Sequence, residues 1–401
     1  MIAPAPIDQV ARMLNARAFE LCRELLPAGY RDGNEYRVGN LAGQPAGKNG
    51  GSMSVHLYGE KAGIWADFNP AEGDRHGDAL DLVAWVKFGG SRKRAFAWAL
   101  SWLGLDNRDP RRLADTRYAA ARLETECKAD ADRVERYRRA AMQRYLEAER
   151  ELAGTPVDKY LLGRAIDLRR LPRNPGAIRF HPRLACVEVG RPLPAMVAAI
   201  HSTAGKMVGI HRTWLEQRDD GRWIKARLKE PKKTLGRYQS EGGCIRLWRG
   251  ASATKLAEAP PDDIVIVTEG IEDGLTMACA EPAWRVIAAV SLGNVVNLRL
   301  PEQLKHIVFM AQNDDGDDAK ANLRRGLNHL IRRHGIVRVA EVPQGFKDVN
   351  DVAQHNERVL AARFREVTDP AADCNGLPTP AVESHDPAGS VAAPMQSERS
   401  A

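Results

Sequence analysis

The feature that most constrains this chain is an alternation of short apolar runs with helical segments between residues 264 and 342. Residues 264–268 read Ile-Val-Ile-Val-Thr, and comparable runs occupy 286–290, 307–311 and 337–342. Helical sequence lies between them at 274–280 and 320–334. Runs this short and this apolar suit strands buried on both faces, which means a parallel sheet covered by helices. The expected fold class is therefore α/β, with a mostly parallel C-terminal sheet flanked by helices. In such sheets ligands gather outside the carboxyl ends of the strands. The residues just past each run are where chemistry is to be sought.

Three of the four runs lead into acidic sequence. The run 264–268 delivers Glu269, then Gly270, which is expected to allow a tight turn, then Asp273 near the start of the next helix. The run 307–311 ends in Gln312, Asn313, Asp314, Asp315, Gly316, Asp317 and Asp318. The last run leads to Lys347, Asp348, Asn350 and Asp351. Carboxylates packed so densely repel one another unless a cation or solvent separates them. Read singly, each cluster is a solvated loop, or a carboxylate placed favourably at a helix N-terminus. Three such clusters, each past a strand end, read as oxygen ligands for a hard cation such as Mg²⁺.

On these residues the region 262–354 resembles a Toprim domain, the fold shared by bacterial primases, type IA and type II topoisomerases and related nucleases. The resemblance rests on Glu269–Asp273, on the Ser291–Gly293 turn, on Gln312–Asp314 and on Lys347–Asp351. It implies that Glu269, Asp273 and Asp314 are the catalytic set. Glu269 would be the general acid/base or metal-poising residue, and Asp314 the second aspartate of the family's metal pair. Where the first aspartate of that pair is expected, this chain has Gln312. An amide can offer a carbonyl oxygen but no charge, and Asp315 or Asp317 could stand in for it. The implied cofactor is Mg²⁺ or Mn²⁺, held by Glu269, Asp314, Gln312, Asp315 and Asp317, with Gly270, Gly293, Asp348 and Asp351 completing the motif.

Residues 29–86 resemble the zinc-ribbon domain of primases: hairpin strand at 52–55, aromatic strand at Ile64-Trp65, helix start at 77–83. The ligands are replaced by Gly39-Asn40 and by residues 67–70. Tetrahedral zinc takes about four Cys or His side chains, and His56 and His76 cannot supply them. No zinc is expected; packing would take the place of the metal in a domain used for DNA contact. Gly89-Gly90 should break residues 78–105 into two helices, and the Arg-, Glu- and Ala-rich stretch 108–153 reads as one long charged helix.

The middle stretch, 154–259, resembles the uncharacterised domain that precedes Toprim in many primase-like proteins of phages, plasmids and integrated elements. The matching stretches are 160–166, 178–182, 209–215 and 233–236. Strands are expected at 196–200, 207–214 and 223–225. Trp214, Trp223 and Trp248 stand among Arg212, Lys225, Arg227 and Lys233, a mixture that suits phosphate neutralisation and base stacking. Arg212, Lys225, Arg227, Lys233 and Lys347 are the expected nucleic-acid or nucleotide contacts.

The expected domains are 1–107, 108–153, 154–259 and 260–368, with a Pro-, Ala- and Ser-rich disordered tail, 369–401. A hydrophobic content of 44% is enough for several cores, and a net charge of +7 leans mildly toward polyanionic partners. The six cysteines form no CxxC pair, which argues against a disulfide scaffold. No membrane-length apolar run and no signal-peptide pattern occur, so a cytoplasmic location away from membranes is expected. The expected function is Mg-dependent, primase-like nucleotidyl transfer on single-stranded DNA from nucleoside triphosphates, in the replication of a mobile element. With no GxxxxGK[ST] loop, any helicase would be a separate partner. The alternatives are a non-catalytic DNA-binding accessory protein and a Toprim-type nuclease.

Overall fold

A computed structural model describes residues 6–47, 51–68, 75–106, 109–314, 316–334 and 337–355. The expected tail 369–401, and Asp315 of the acidic loop, lie outside the described residues. The chain divides into two compact units, Met1–Arg144 with Thr234–Arg237, and Tyr145–Lys233 with Tyr238–Ala401. No described helix is long and apolar enough to cross a membrane.

In the first unit an antiparallel sheet runs in sequence order through Tyr30–Asp32, Glu35–Val38, Met53–His56, Trp65–Asp67 and Arg75–Gly77. Helices Ile7–Ala16 and Ala18–Leu25 precede it, and Ala79–Phe88 and Arg92–Trp102 come after. Leu14, Leu21, Trp65 and Leu80 centre its core. Asp78 and Asp81 form a reciprocal capping box at the start of Ala79–Phe88. Gly89 ends that helix at φ 58°, a left-handed conformation that glycine takes without strain. Where the resemblance leads one to expect metal ligands, the buried carboxylate of Asp67 accepts from the Leu41 N–H at 2.8 Å and the Ser52 hydroxyl at 2.5 Å. Asn69 and Pro70 fall outside the described residues.

The charged stretch forms the helix Pro110–Glu147. Its Arg, Ala and Glu content favours helix, and ion pairs such as Arg122–Glu126 and Glu124–Lys128 lie along its surface at i,i+4 spacing.

In the second unit Ile178–Cys186, Arg191–His201 and Met207–Gln217 pair antiparallel in turn, and Trp223–Lys225 pairs with the third. Beyond them lies a second sheet, ordered Ile245–Arg249, Arg285–Ala288, Ile264–Thr268, His306–Ala311, Val337–Glu341. Its last four strands are parallel, and Ile245–Arg249 runs antiparallel at the edge. Alternate residues of Ile264–Thr268 face two different cores. Ile266 joins Met196, Leu215, Leu247 and Leu275 in a core shared with the first of these two sheets. Val265 and Val267 pack with Phe309, Leu298 and Leu330. Burial on both faces is why the central stretch Ile264–Val267 is continuously apolar. Gly274 lets the helix Ile271–Ala280 lie against the sheet: a Cβ there would collide with Leu247 Cδ1 and sit 2.9 Å from Thr268 Oγ1.

Candidate metal and nucleotidyl-transfer site

From Ile264–Thr268 the chain crosses to Arg285–Ala288 on one side, then returns to His306–Ala311 on the other. The carboxyl ends of the two strands thus flank a topological switch point, where open α/β sheets form a crevice. Glu269 leaves one of these strands, and Gln312 and Asp314 leave the other. Together with Leu292 and Lys320 they line a small pocket.

Glu269 is half-buried. Burial pushes its carboxyl above the ordinary value and the nearby Asp314 charge adds to this, while a backbone hydrogen bond from Leu292, at the Ser291–Gly293 turn, works against it. Asp314 is exposed, and Asp317 is exposed in the first turn of the helix Asp317–His334. Among the described residues no three His, Cys, Asp or Glu side chains converge as a ready metal cluster. The donor set at the pocket is still the hard-oxygen type: two carboxylates and the amide oxygen of Gln312. Mg²⁺ is commonly held by one or two carboxylates together with water and substrate phosphates, so these residues fit it.

Gln312 has a second occupation. Its Nε2 donates to Asp273 Oδ2 at 2.7 Å, and the N–H of Asn350 donates to Asp273 Oδ1 at 3.1 Å. Asp273 is 4% exposed. Burial, with the Asp348 charge nearby, pushes its carboxyl up to about 6 against the pull of those two donors. Asp273 therefore holds Gln312 and the third acidic segment in place. Asn350 extends the network, donating from Nδ2 to Thr276 Oγ1 and to the Arg164 carbonyl, both at 2.9 Å.

The remaining motif residues are structural in position. Asp348 accepts from the Asp351 N–H at 2.8 Å and Asp351 from the Lys347 N–H at 3.1 Å, which caps the helix Val349–His355. The Lys347 side chain is exposed. Gly270 sits at φ −100°, so the turn after Glu269 is not one that requires glycine; Gly293 has open space around it.

The basic residues of the middle stretch do not converge. Lys225 Nζ lies 2.8 Å from Glu272 Oε1. Arg227 pairs with Glu216 at 2.5 Å and Lys233 with Glu230 at 2.9 Å, all four toward the surface. Arg212 stacks over Trp214 at 5.1 Å. Trp214 and Trp248 are core residues, 3% and 5% exposed, and Trp223 packs against the same core. Trp214 and Trp248 are therefore not platforms on which bases could stack. Large rings in a chain of this size find their main use in the cores.

Three residues that carry the site were not singled out from sequence. Glu272 is buried in a helix whose residues 271–279 are all buried. It accepts from Tyr160 Oη at 2.8 Å and from Lys225, and Lys232 lies at 3.9 Å. Burial alone would raise its carboxyl, but Lys225 and Lys232 bring it well below the ordinary value. The signal was there: a charge inside an otherwise apolar helix needs a partner. Asn313 ties its loop to the next, donating from Nδ2 to the Val342, Pro343 and Phe346 carbonyls at 3.1, 3.2 and 2.9 Å. Asn350 is the third, and its neighbours in sequence drew attention for their charge alone.

Residues 136–247 match a domain of unknown function (DUF7146) and residues 264–358 match the Toprim domain. No curated protein matches the chain. Among solved structures, the zinc-binding and RNA polymerase domains of the Aquifex aeolicus primase align at 14% identity and TM-score 0.34, over 87% of this chain and 84% of that one. The E. coli primase catalytic core aligns at 13% identity and TM-score 0.35, over 54% of this chain and 74% of that one. A DnaG primase catalytic domain bound to single-stranded DNA aligns at 15% identity and TM-score 0.35, over 54% and 74%. These likenesses are remote. The family match and the site together carry the conclusion that the C-terminal region of this chain, residues 264–358, is a Toprim domain preceded by a domain of unknown function.

Proposed function

We propose that this chain is a primase-like nucleotidyltransferase that extends a nucleotide chain on single-stranded DNA from nucleoside triphosphates, in the replication of a mobile element. The observation that carries the reading is the pairing of Glu269 and Asp314 across the switch point of a parallel sheet. A divalent cation, when bound by Glu269, Asp314 and the Gln312 amide oxygen, supplies charge to the attacking and leaving oxygens of phosphoryl transfer. The chain's own residues do the rest. Glu269, raised by burial, is suited to take a proton from an attacking hydroxyl. Asp273 acts as a positioning residue, since its bond to Gln312 turns that amide's oxygen away from itself. Arg212, Arg227, Lys233 and Lys347 are the proposed phosphate contacts. Lys225, engaged by Glu272, would act on the template only by way of the strand Trp223–Lys225.

The test is incubation with single-stranded DNA, labelled nucleoside triphosphates and Mg²⁺ or Mn²⁺. Oligonucleotide synthesis that is lost in Glu269→Gln, with the melting temperature unchanged, supports the reading. Unchanged synthesis in Glu269→Gln removes Glu269 from the chemistry. A second reading, a non-catalytic DNA-binding accessory protein, is favoured by Gln312 and by the lack of a three-carboxylate cluster among the described residues. Binding of single-stranded DNA without synthesis, under both metals, would select it.

A further inference from the structure

A second cavity, of about 560 Å³, shares no residue with the acidic pocket. It opens beside the edge strand Ile245–Arg249, and its walls include Arg173, His201, Arg246, Arg249, Lys255 and Arg285. Among the described residues no Asp or Glu lines it. Two of the cations already have a carboxylate partner. Arg285 is held by Asp263 at 2.8 Å and Lys255 by Glu258 at 3.3 Å. The other three arginines have no carboxylate partner among the described residues. Arg246 donates from Nη2 to the Ser202 and Thr203 carbonyls at 2.5 and 3.0 Å. Arg249 reaches the Ala253 carbonyl at 3.3 Å, and Arg173 lies over the Trp248 ring at 5.2 Å.

Two buried polar atoms at this wall, Arg246 Nε and His201 Nδ1, have no hydrogen-bond partner among the described residues. Buried donors and charges left uncompensated are uncommon in folded proteins and mark places where something else supplies the partner. Burial and Arg246 also keep His201 neutral, its pKa brought down to about 4, so the cavity gains no further charge at neutral pH. The cations come from four separate segments: the loop at Arg173, the strand Ile245–Arg249, the loop at Lys255 and the strand Arg285–Ala288. Guanidinium forks from different segments that face one cleft are suited to an anion with several oxygens in different directions. The volume lies within the range of small-molecule sites. A single chloride or sulfate would leave most of it empty.

We propose that this cavity is a second site that binds the polyphosphate of a free nucleotide, away from the metal-dependent chemistry. Arg173, Arg246 and Arg249 grip the phosphates.

The experiment is nucleotide binding by the full chain in EDTA, which removes the divalent cation that the acidic pocket needs. ATP and inorganic tripolyphosphate are titrated by calorimetry, with single-stranded DNA as a competing probe. Both phosphates should bind one site per chain, and Glu269→Gln should bind equally well. Arg249→Gln, at an exposed position, and Arg173→Gln should each weaken binding ~10–100-fold, the worth of a charge-assisted hydrogen bond to phosphate. Arg246→Gln should do the same, and the two exposed variants keep the test valid if this one fails to fold. The proposal is overturned if neither phosphate binds in EDTA, or if binding is indifferent to Arg249→Gln and Arg173→Gln. It is also overturned if single-stranded DNA binds at these arginines and ATP cannot displace it. None of these outcomes bears on synthesis at Glu269, which is assayed with metal.

Discussion

Glu272 and Lys225 offer a direct test of how the middle sheet is joined to the helix Ile271–Ala280. Glu272 is 6% exposed and its Oε1 lies 2.8 Å from Lys225 Nζ, whose side chain is 26% exposed. At that distance, with an effective dielectric constant of about 20, the gross attraction is ~6 kcal/mol. Desolvation of both groups removes a large part of it. Breaking a buried pair by deleting one partner costs about 3–5 kcal/mol, because the other charge is left behind. Lys225 can still reach water, so the lower end applies, and Glu272→Gln should cost about 3 kcal/mol. Lys225→Met should cost a similar amount, since it leaves a buried carboxylate with the Tyr160 hydroxyl and, as its nearest cation among the described residues, Lys232 at 3.9 Å. The double variant leaves neither charge stranded. Its cost should fall short of the sum by about 1.5–3 kcal/mol, as coupled neighbours do. Urea denaturation monitored by circular dichroism gives all three differences, provided the denaturant slopes agree. A double variant equal to the sum of the singles within about 0.5 kcal/mol would show that Glu272 and Lys225 do not depend on one another, and would refute this account of the join.

Gln312→Asp removes the donor to Asp273 and sets a second carboxylate beside it. In EDTA the variant should lose about 2 kcal/mol, and added Mg²⁺ should restore more of its melting temperature than it adds to the parent; an unchanged melt in EDTA would mean that the Gln312–Asp273 bond contributes nothing. His211 is buried among Glu272, Lys232, Lys225 and Arg212, and burial brings its pKa down from 6.5 to about 4. The unfolded chain then binds the extra proton, so stability is full above pH 6.5 and declines as pH falls toward 4. Between pH 7 and 5 the loss from this residue is about 2 kcal/mol, and the melting temperature of His211→Gln should vary less over that interval; parallel curves would exclude His211 as the source. Gly274→Ala should destabilise by about 1–3 kcal/mol through overpacking against Leu247 and Thr268, despite the better helix propensity of alanine. A thermal melt at or above that of the parent would show that the helix has room to shift.

The sequence alone determined those features that depend on near neighbours. The run Ile264–Val267 is apolar at every position, which suits a strand covered on both faces. Glu269 and Asp314 come just after strand ends, and a parallel sheet carries such residues to one rim whatever its details. The helix break after Phe88 was written in Gly89-Gly90. Other features were not local. The strand Ile178–Cys186 contains Arg179, His181, Pro182 and Arg183, so its pattern is broken; it becomes a strand because Arg191–His201 pairs with it. Trp214 and Trp248 among lysines and arginines looked like a nucleic-acid surface, since composition does not say which way a ring points. Packing turned both rings inward. In the sequence Gln312 is only an uncharged candidate metal ligand; the fold adds that its Nε2 lies 2.7 Å from Asp273, where an amide donor suits a buried carboxylate better than a second acid would. Tyr160 and Glu272 meet across 112 residues of chain. Hydrophobic periodicity and turn chemistry act over a few residues and can be read directly. Which buried polar groups become one another's partners is settled only when distant segments close around a shared core, because only there does an unpaired charge become too costly to keep.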